Sequence, residues 1–213
     1  TERYKGLVLA ATDSYRLAEK KMSVGQGSGE QRAIVPGRTV YEMVRLLGVA
    51  TAEAGESQAR VTISENQFVL RYGAFELTSR LVEGTYPDYA QIIPDDFQTT
   101  ASLPVDLLVK KIKAASLFTT TGVNAVSFDF NVEEGSLGVS STSTQKGEHS
   151  SAIDVAVTGQ ENSILLNHKY VLDGLSQLGG GEVEFAMNGS DAPCLFRTAK
   201  SEDYVYIVMP IRQ

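Results

Sequence analysis

The 213-residue sequence predicts an α+β fold of repeated modules, each a helix packed on antiparallel sheet. Three observations predict it. Apolar residues recur with a helical period in three separate segments, and short alternating segments accompany each of them. The unit of strand, helix and strands returns about every 65 residues. Repetition at that spacing points to stacked or cyclic modules and away from one irregular enzyme.

The first helix is expected over residues 36–48 (PGRTVYEMVRLLG), with Val40, Met43, Val44 and Leu47 on one face. The second covers 103–119, with Leu108, Ile112 and Ala115 aligned, and the third 167–179, with Val171, Leu175 and Leu178 aligned. Short apolar strands lead in at 33–35 and 164–166. Segments 60–64 and 67–71 flank a polar Glu65-Asn66 turn, while 125–130 and 136–139 flank residues 133–135. Two modules make one domain, and a seam near residues 94–97 divides the chain into 1–94 and 95–213. Residues 1–33 read as the trailing strands of an earlier, truncated copy, so the chain reads as a piece of something longer.

Composition excludes several classes. A 42% hydrophobic chain of this length can bury a core and is not disordered. No apolar run approaches the ~20 residues of a membrane span, and the opening residues lack a signal-peptide pattern. The single Cys194 rules out an internal disulfide framework, fits a reducing cytoplasm, and sits in an apolar run where it reads as a small buried hydrophobe. A net charge of −7 argues against gripping nucleic acid by bulk attraction, yet leaves room for a local basic surface. The stretch 25–29 (GQGSG) lacks the Lys-Ser/Thr of a phosphate loop and reads as a connection between strands.

The closing residues 204–213 (YVYIVMPIRQ) form a β-rich run ended by Pro210, which cannot donate to a sheet ladder. Termini are usually polar. An apolar and cationic tip at Met209-Pro-Ile-Arg212 therefore reads as a contact surface.

Three separated motifs carry a resemblance. Ala11-Thr-Asp-Ser-Tyr-Arg-Leu-Ala18 resembles the Ala-Thr-Asp-Gly-His-Arg-Leu-Ala segment of the bacterial sliding clamp, the β subunit of DNA polymerase III. Leu81-Val-Glu-Gly-Thr-Tyr-Pro-Asp-Tyr89, followed by Ile93-Pro94, is similar to that family's interdomain segment, and Tyr206-Ile-Val-Met-Pro-Ile-Arg212 to its C-terminus. The resemblance implies the DNA-clamp fold, with part of the middle domain and the whole third domain present. It implies a processivity factor: a ring of two head-to-tail chains on duplex DNA, cytoplasmic and nucleoid-associated, without cofactor, metal or membrane. It further implies that polymerase and clamp-loader subunits, repair polymerases and mismatch-repair proteins bind through short linear motifs. The full-length protein would be a homodimer and this shorter chain a monomer.

Three sites follow from the resemblance. The helices would line the pore, with Arg38 and Arg45 on the first and Lys110, Lys111 and Lys113 opposite the apolar stripe of the second. A basic wall of this kind attracts phosphates without reading bases. On the third helix, Lys169 is expected to be offset by Asp173. A partner-peptide cleft would be formed by Thr12, Ser14, Tyr15, Arg16 and Leu17, by Pro87, Gln91 and Ile92, and by Pro193, Ile207, Met209, Pro210, Ile211 and Arg212. Ile92, Leu17, Ile207 and Met209 are expected to offer apolar pockets, and Thr12 and Ser14 to fix a peptide's polar atoms. Alternation turns Val208 away from Ile207, into the core. Ser14-Tyr15 stands where Gly-His is commoner and Gln91 where Arg is frequent, which bears on peptide preference. Leu117 and Phe118, neighbours that cannot share one helix face, fall at the family's ring interface.

An enzyme fits poorly. His149 in a polar hairpin and His168 at a helix start read as surface or capping residues, and no nucleophile or Cys/His metal pattern is present. Asp13, Asp88 and Asp106 read as turn and helix-start residues. The remaining alternatives are a β-rich interaction module without a DNA role and a structural β-sandwich, the latter at odds with three amphipathic helices.

Overall fold

The computed structural model describes residues 5–27, 29–50, 58–198 and 201–212. Thr1, Gln213 and Ser28 of the 25–29 stretch lie outside them, and the rest of that stretch is neither helix nor strand. In chain order the elements are β1 (Leu7–Thr12), β2 (Arg16–Met22), α1 (Gly37–Ala50), β3 (Arg60–Ile63), β4 (Gln67–Tyr72) and β5 (Phe75–Arg80). A 3₁₀ turn (Tyr89–Ile92) leads to β6 (Thr99–Pro104), α2 (Val105–Ser116), β7 (Ala125–Asn131), β8 (Ser136–Ser143) and β9 (Gly147–Asp154). Then follow β10 (Val157–Gly159), β11 (Asn162–Asn167), α3 (His168–Leu175), β12 (Glu182–Met187), β13 (Cys194–Thr198) and β14 (Ser201–Val208). All strand pairings are antiparallel, as the alternating segments predict.

The chain forms two compact units: Thr1–Gly25 with Tyr89–Gln213, and Gln26–Asp88. In the larger one a seven-stranded sheet, β1-β2-β14-β13-β12-β6-β10, and a four-stranded sheet, β11-β7-β8-β9, share one core. Phe185 is its hub, with ring centroids 4.3–5.4 Å from Phe196, Phe130 and Phe128. Each fully buried phenylalanine contributes about 1.5–3 kcal/mol. Cys194 is fully buried there and donates to the Val208 carbonyl at 3.4 Å; burial pushes its thiol pKa up. Helix α2 buries Val105, Leu108, Ile112 and Ala115, and α3 buries Val171 and Leu175, the stripes expected. Gly174 lets α3 approach β14, because a Cβ there would fall inside the Tyr206 ring.

The second helix does not begin at Leu103. That residue is a fully buried member of β6, and Pro104, extended at φ −62° and ψ 126°, is the N-cap. A residue before proline is steered away from helical backbone. The helix also stops at Ser116, with Leu117 as its C-cap, and α3 gives way to a turn after Leu175.

The β1–β2 hairpin belongs to the large sheet, through pairing of β2 with β14. Sequence modules do not reveal which neighbour a terminal hairpin chooses.

In the smaller unit, α1 packs on the three-stranded sheet β3-β4-β5. Leu46 and Leu47 face Leu70, Tyr72, Phe75 and Leu77, and the Thr39 and Ser79 hydroxyls meet at 2.7 Å. Met43 and Leu47 of the expected stripe are half-buried, joined by Thr39 and Leu46, while Val40 and Val44 are 44% and 67% exposed. Both sets satisfy the period; the narrow sheet selects one. Residues 33–35 are not a strand, although the Ile34 carbonyl accepts from the Val82 N–H at 2.8 Å.

Candidate functional site

The β1–β2 turn is closed by its own side chains. Asp13 accepts the Tyr15 and Arg16 N–H groups, each at 3.1 Å. Thr12 Oγ1 donates to the Arg16 carbonyl at 2.7 Å and accepts from the Ser14 N–H at 3.2 Å. Burial acts to raise the Asp13 pKa, but these backbone bonds and the Arg16 guanidinium more than offset it and hold the carboxyl below its ordinary value. Ser14 has φ +75°, in the left-handed region that favours glycine. The Thr12 hydroxyl thus makes two hydrogen bonds within the turn.

From this turn β2 runs along β14, with Arg16 opposite Val208 and Leu17 opposite Ile207. The pairing continues past the strand end, where the Met209 N–H donates to the Tyr15 carbonyl at 2.8 Å. Pro210 cannot continue it. The next donor, the Ile211 N–H, turns to the Leu165 carbonyl on β11, also at 2.8 Å. The tail 209–212 thus straps one sheet to the other.

The large sheet is apolar on both faces. Phe185, Met187, Cys194, Phe196, Tyr206 and Val208 enter the main core, while Leu17, Ala186, Leu195 and Ile207 form a smaller cluster behind it. Tyr89, Ile93 and Phe97, from the segment before β6, pack over that cluster together with Val205. Hydrogen bonds fasten the cover: Tyr89 Oη donates to Glu19 Oε2 at 2.6 Å, and Asn188 binds both the Gln98 N–H and the Asp96 carbonyl. Leu17 and Ile207, expected as open pockets, are 2% and 1% exposed and act as the floor. Val208 lies in the core, as alternation predicts. Ile92 instead points outward, 42% exposed, at the end of the 3₁₀ turn.

Sequence reasoning missed Tyr170, Asp173 and Tyr206. The Arg16 guanidinium lies 4.6 Å from the Tyr170 ring centroid and bonds Asp13 at 3.0 Å and Asp173 at 2.5 Å. These bonds outweigh partial burial and raise the Arg16 pKa further. Tyr206 Oη donates to the Tyr170 carbonyl at 2.8 Å, and burial raises its phenol pKa. Tyr15 stacks on Tyr170, centroids 6.3 Å apart. The partner of Asp173 is thus Arg16, not Lys169. The one signal for these contacts was the position of Tyr170 and Asp173 one helical turn apart on α3.

The structure therefore brings Thr12, Ser14, Tyr15, Arg16, Leu17, Ile207 and Met209 together at one end of the sheet. Pro193 precedes Cys194, whose register partner is Val208, so it lies at that same end. Pro210 and Ile211 are half-buried, Arg212 and Gln91 exposed. Pro87 is exposed and belongs to the other unit.

On α2, Lys110 and Lys113 are exposed and Lys111 is half-buried. On α1, Arg38 is exposed and Arg45 pairs with Glu42 at 2.9 Å. Leu117 is 69% exposed, whereas Phe118 stacks on His149 at 5.6 Å, so the adjacent pair does split. His168 is not a surface residue. It is 8% exposed, its Nδ1 lacks a partner, burial lowers its pKa, and the helix cap is Asn167, which accepts the Lys169 N–H at 3.0 Å. Among the described residues no three His, Cys, Asp or Glu side chains group as metal ligands, and no helix is long and apolar enough to cross a membrane.

Residues 90–212 match the family described as DNA polymerase III beta subunit, C-terminal domain, and residues 2–88 match its central domain. The chain belongs to the bacterial sliding-clamp family. It is 31% identical over 202 residues to the beta sliding clamp of Escherichia coli K12, covering 95% of this chain and 53% of that protein. The structure of the Bacillus subtilis sliding clamp superposes with a TM-score of 0.88 at 29% identity, over 97% of this chain and 53% of that one. A Bartonella birtlesii sliding clamp bound to griselimycin gives a TM-score of 0.87 at 27% identity, over 97% and 54%. The antiparallel sheets and helices are those of sliding clamps. This chain spans about half the length of the curated relatives it matches.

Ser14 supplies a test of the turn. Replacing Ser14 with Gly should relieve the left-handed backbone and stabilise the chain by about 1 kcal/mol. Urea denaturation should show a higher midpoint at unchanged slope; an unchanged or lower midpoint would show that the turn carries no strain.

Proposed function

We propose that the chain is part of a sliding clamp: a non-enzymatic processivity factor of the cytoplasm that, in its full-length ring, tethers a DNA polymerase to duplex DNA and recruits partners by short peptides. The observation that carries this reading is the β2–β14 pairing, prolonged by the Met209–Tyr15 bond, which gathers residues 11–18, the 89–97 segment and the tail at one sheet end. Family membership supports it, as does the matching of 2–88 and 90–212 to consecutive clamp domains. We take residues 1–94 as a partial middle domain and 95–213 as the third, the seam lying in the segment that follows residue 88.

The peptide site uses exposed groups over a rigid floor. Ile92, Met209 and the Tyr15 ring supply apolar contact, while Leu17 and Ile207 support them from beneath. Gln91, Pro193 and the tail residues Pro210, Ile211 and Arg212 complete the site. A cleft of this size suits micromolar binding, about −8 kcal/mol, so that partners exchange. Fluorescence anisotropy should find a Gln-Leu-type peptide with a Leu-Phe anchor binding the wild-type chain. Met209→Ala with Ile92→Asp should weaken it at least about tenfold, a loss near 1.4 kcal/mol. Equal affinity for both proteins would overturn the assignment.

The DNA-facing groups are taken to be Lys110, Lys111 and Lys113 on α2 in the larger unit and, separately, Arg38 and Arg45 on α1 in the smaller. The Glu42 partner of Arg45 dilutes the first helix, and phosphate contacts of this kind carry no base readout. Duplex affinity should therefore be weak and steeply salt-dependent. Changing all three lysines to Glu should weaken binding at low salt and reduce the magnitude of the log K against log salt slope by about 0.9 per lost phosphate contact. Retention of the wild-type slope would assign those lysines to solvent.

Leu117 is the exposed apolar side chain we assign to the ring interface. The 213-residue chain should be monomeric by light scattering at low micromolar concentration, because residues 2–88 and 90–212 match the central and C-terminal clamp domains. A stable closed dimer would remove that assignment.

A further inference from the structure

Tyr15 is the most conspicuous exposed group at the sheet end. Its ring is 62% exposed, yet its backbone is held on both sides, by the Asp13 carboxylate at the N–H and by the Met209 N–H at the carbonyl. The ring leans on Tyr170 at an interplanar angle of 25°. A large aromatic face is thus fixed in solvent before any partner arrives, which removes part of the ordering cost of binding. Aromatic faces carry a negative quadrupole and attract cations.

Arg16, over the Tyr170 ring, is itself held by two carboxylates, Asp13 and Asp173, so its charge at the pair is compensated. Lys169 precedes Tyr170 on α3 and is turned about 100° away around the helix. The chain also displays the contact it could offer, since Arg16 already lies over the Tyr170 ring. Guanidinium suits such a face better than ammonium, being planar and more weakly hydrated.

We propose that the Tyr15–Tyr170 pair is a subsite for an arginine side chain of the partner peptide, beside its apolar anchors, and that this chain selects peptides carrying one. The proposal rests on the peptide-site reading above and adds a sequence preference to it. Tyr15, standing where the family resemblance has His more commonly, is the departure that creates it.

The test is a labelled peptide series with one Leu-Phe anchor, in which each flanking residue in turn is Arg, norleucine or Glu. With the 213-residue chain, anisotropy should show Arg at one flank binding roughly three- to fivefold tighter than norleucine, and Glu weaker than both. The Arg-to-norleucine ratio should persist in Tyr15→Phe and fall to about one in Tyr15→Leu, with thermal melts confirming that each variant is folded. A ratio of one in the wild-type chain, or a ratio that survives Tyr15→Leu, overturns the arginine subsite while leaving the peptide site intact. Absence of binding by every peptide overturns both.

Discussion

The pairing of β2 with β14 is the constraint on which the rest of the larger unit depends. Without it the β1–β2 hairpin would be two strands in water, and an isolated hairpin is marginal at best. With it, residues nearly 190 positions apart become register partners, from Lys20 opposite Tyr204 to Arg16 opposite Val208. The Lys20–Asp203 ion pair at 2.5 Å and the Arg16–Tyr206 contact at 3.5 Å lie along the same seam. Both charged groups of the Lys20 pair are more than two-fifths exposed, so the ladder and the apolar faces, not that pair, do the stabilising.

Register has more at stake here than in a one-faced sheet. Tyr206 and Val208 point into the main core while Val205 and Ile207 point to the cluster behind. A slip of one residue would exchange the two sets. It would drive Tyr206 out of its bond to the Tyr170 carbonyl and into a cluster sized for Ile207 and Ala186. The Gly174 approach to the Tyr206 ring adds a steric reading of the same register, because only that ring, in that place, fits the missing side chain. The turn at residues 12–16 is therefore positioned by packing on both faces of the sheet rather than by its own hydrogen bonds alone.

The parts legible in the sequence were those where one physical rule decides. Helices α2 and α3 are covered on one side by sheet and by each other, so the stripes Leu108–Ile112–Ala115 and Val171–Leu175 had a single reading. Helix α1 did not, because its apolar residues support two stripes and the three-stranded sheet covers only one. Pro104 could have placed the start of α2, since the residue before proline resists helix. The candidate peptide-site residues come from resemblance, and their burial sorts them. Leu17 and Ile207 differ from Met209 and Ile92 in exposure, which a sequence shows only when the covering segment is known. Tyr170 and Asp173 were illegible because what defines them is contact with a turn more than 150 residues away.

Charge on α3 shows how those distant contacts change a functional reading. Taken along the helix alone, Lys169 and Asp173 cancel at the (i, i+4) spacing. In the fold, Asp173 turns to Arg16, and Arg16 is drawn between it and Asp13. The cation that neutralises α3 is thus borrowed from the peptide-site turn, and Lys169 keeps its own charge. Loss of Asp173 would therefore be felt in two places: the turn would lose an anchor for Arg16, and the charge of α3 would change. The charge of α3 and the geometry of the β1–β2 turn are in this sense one electrostatic problem, joined through a single guanidinium.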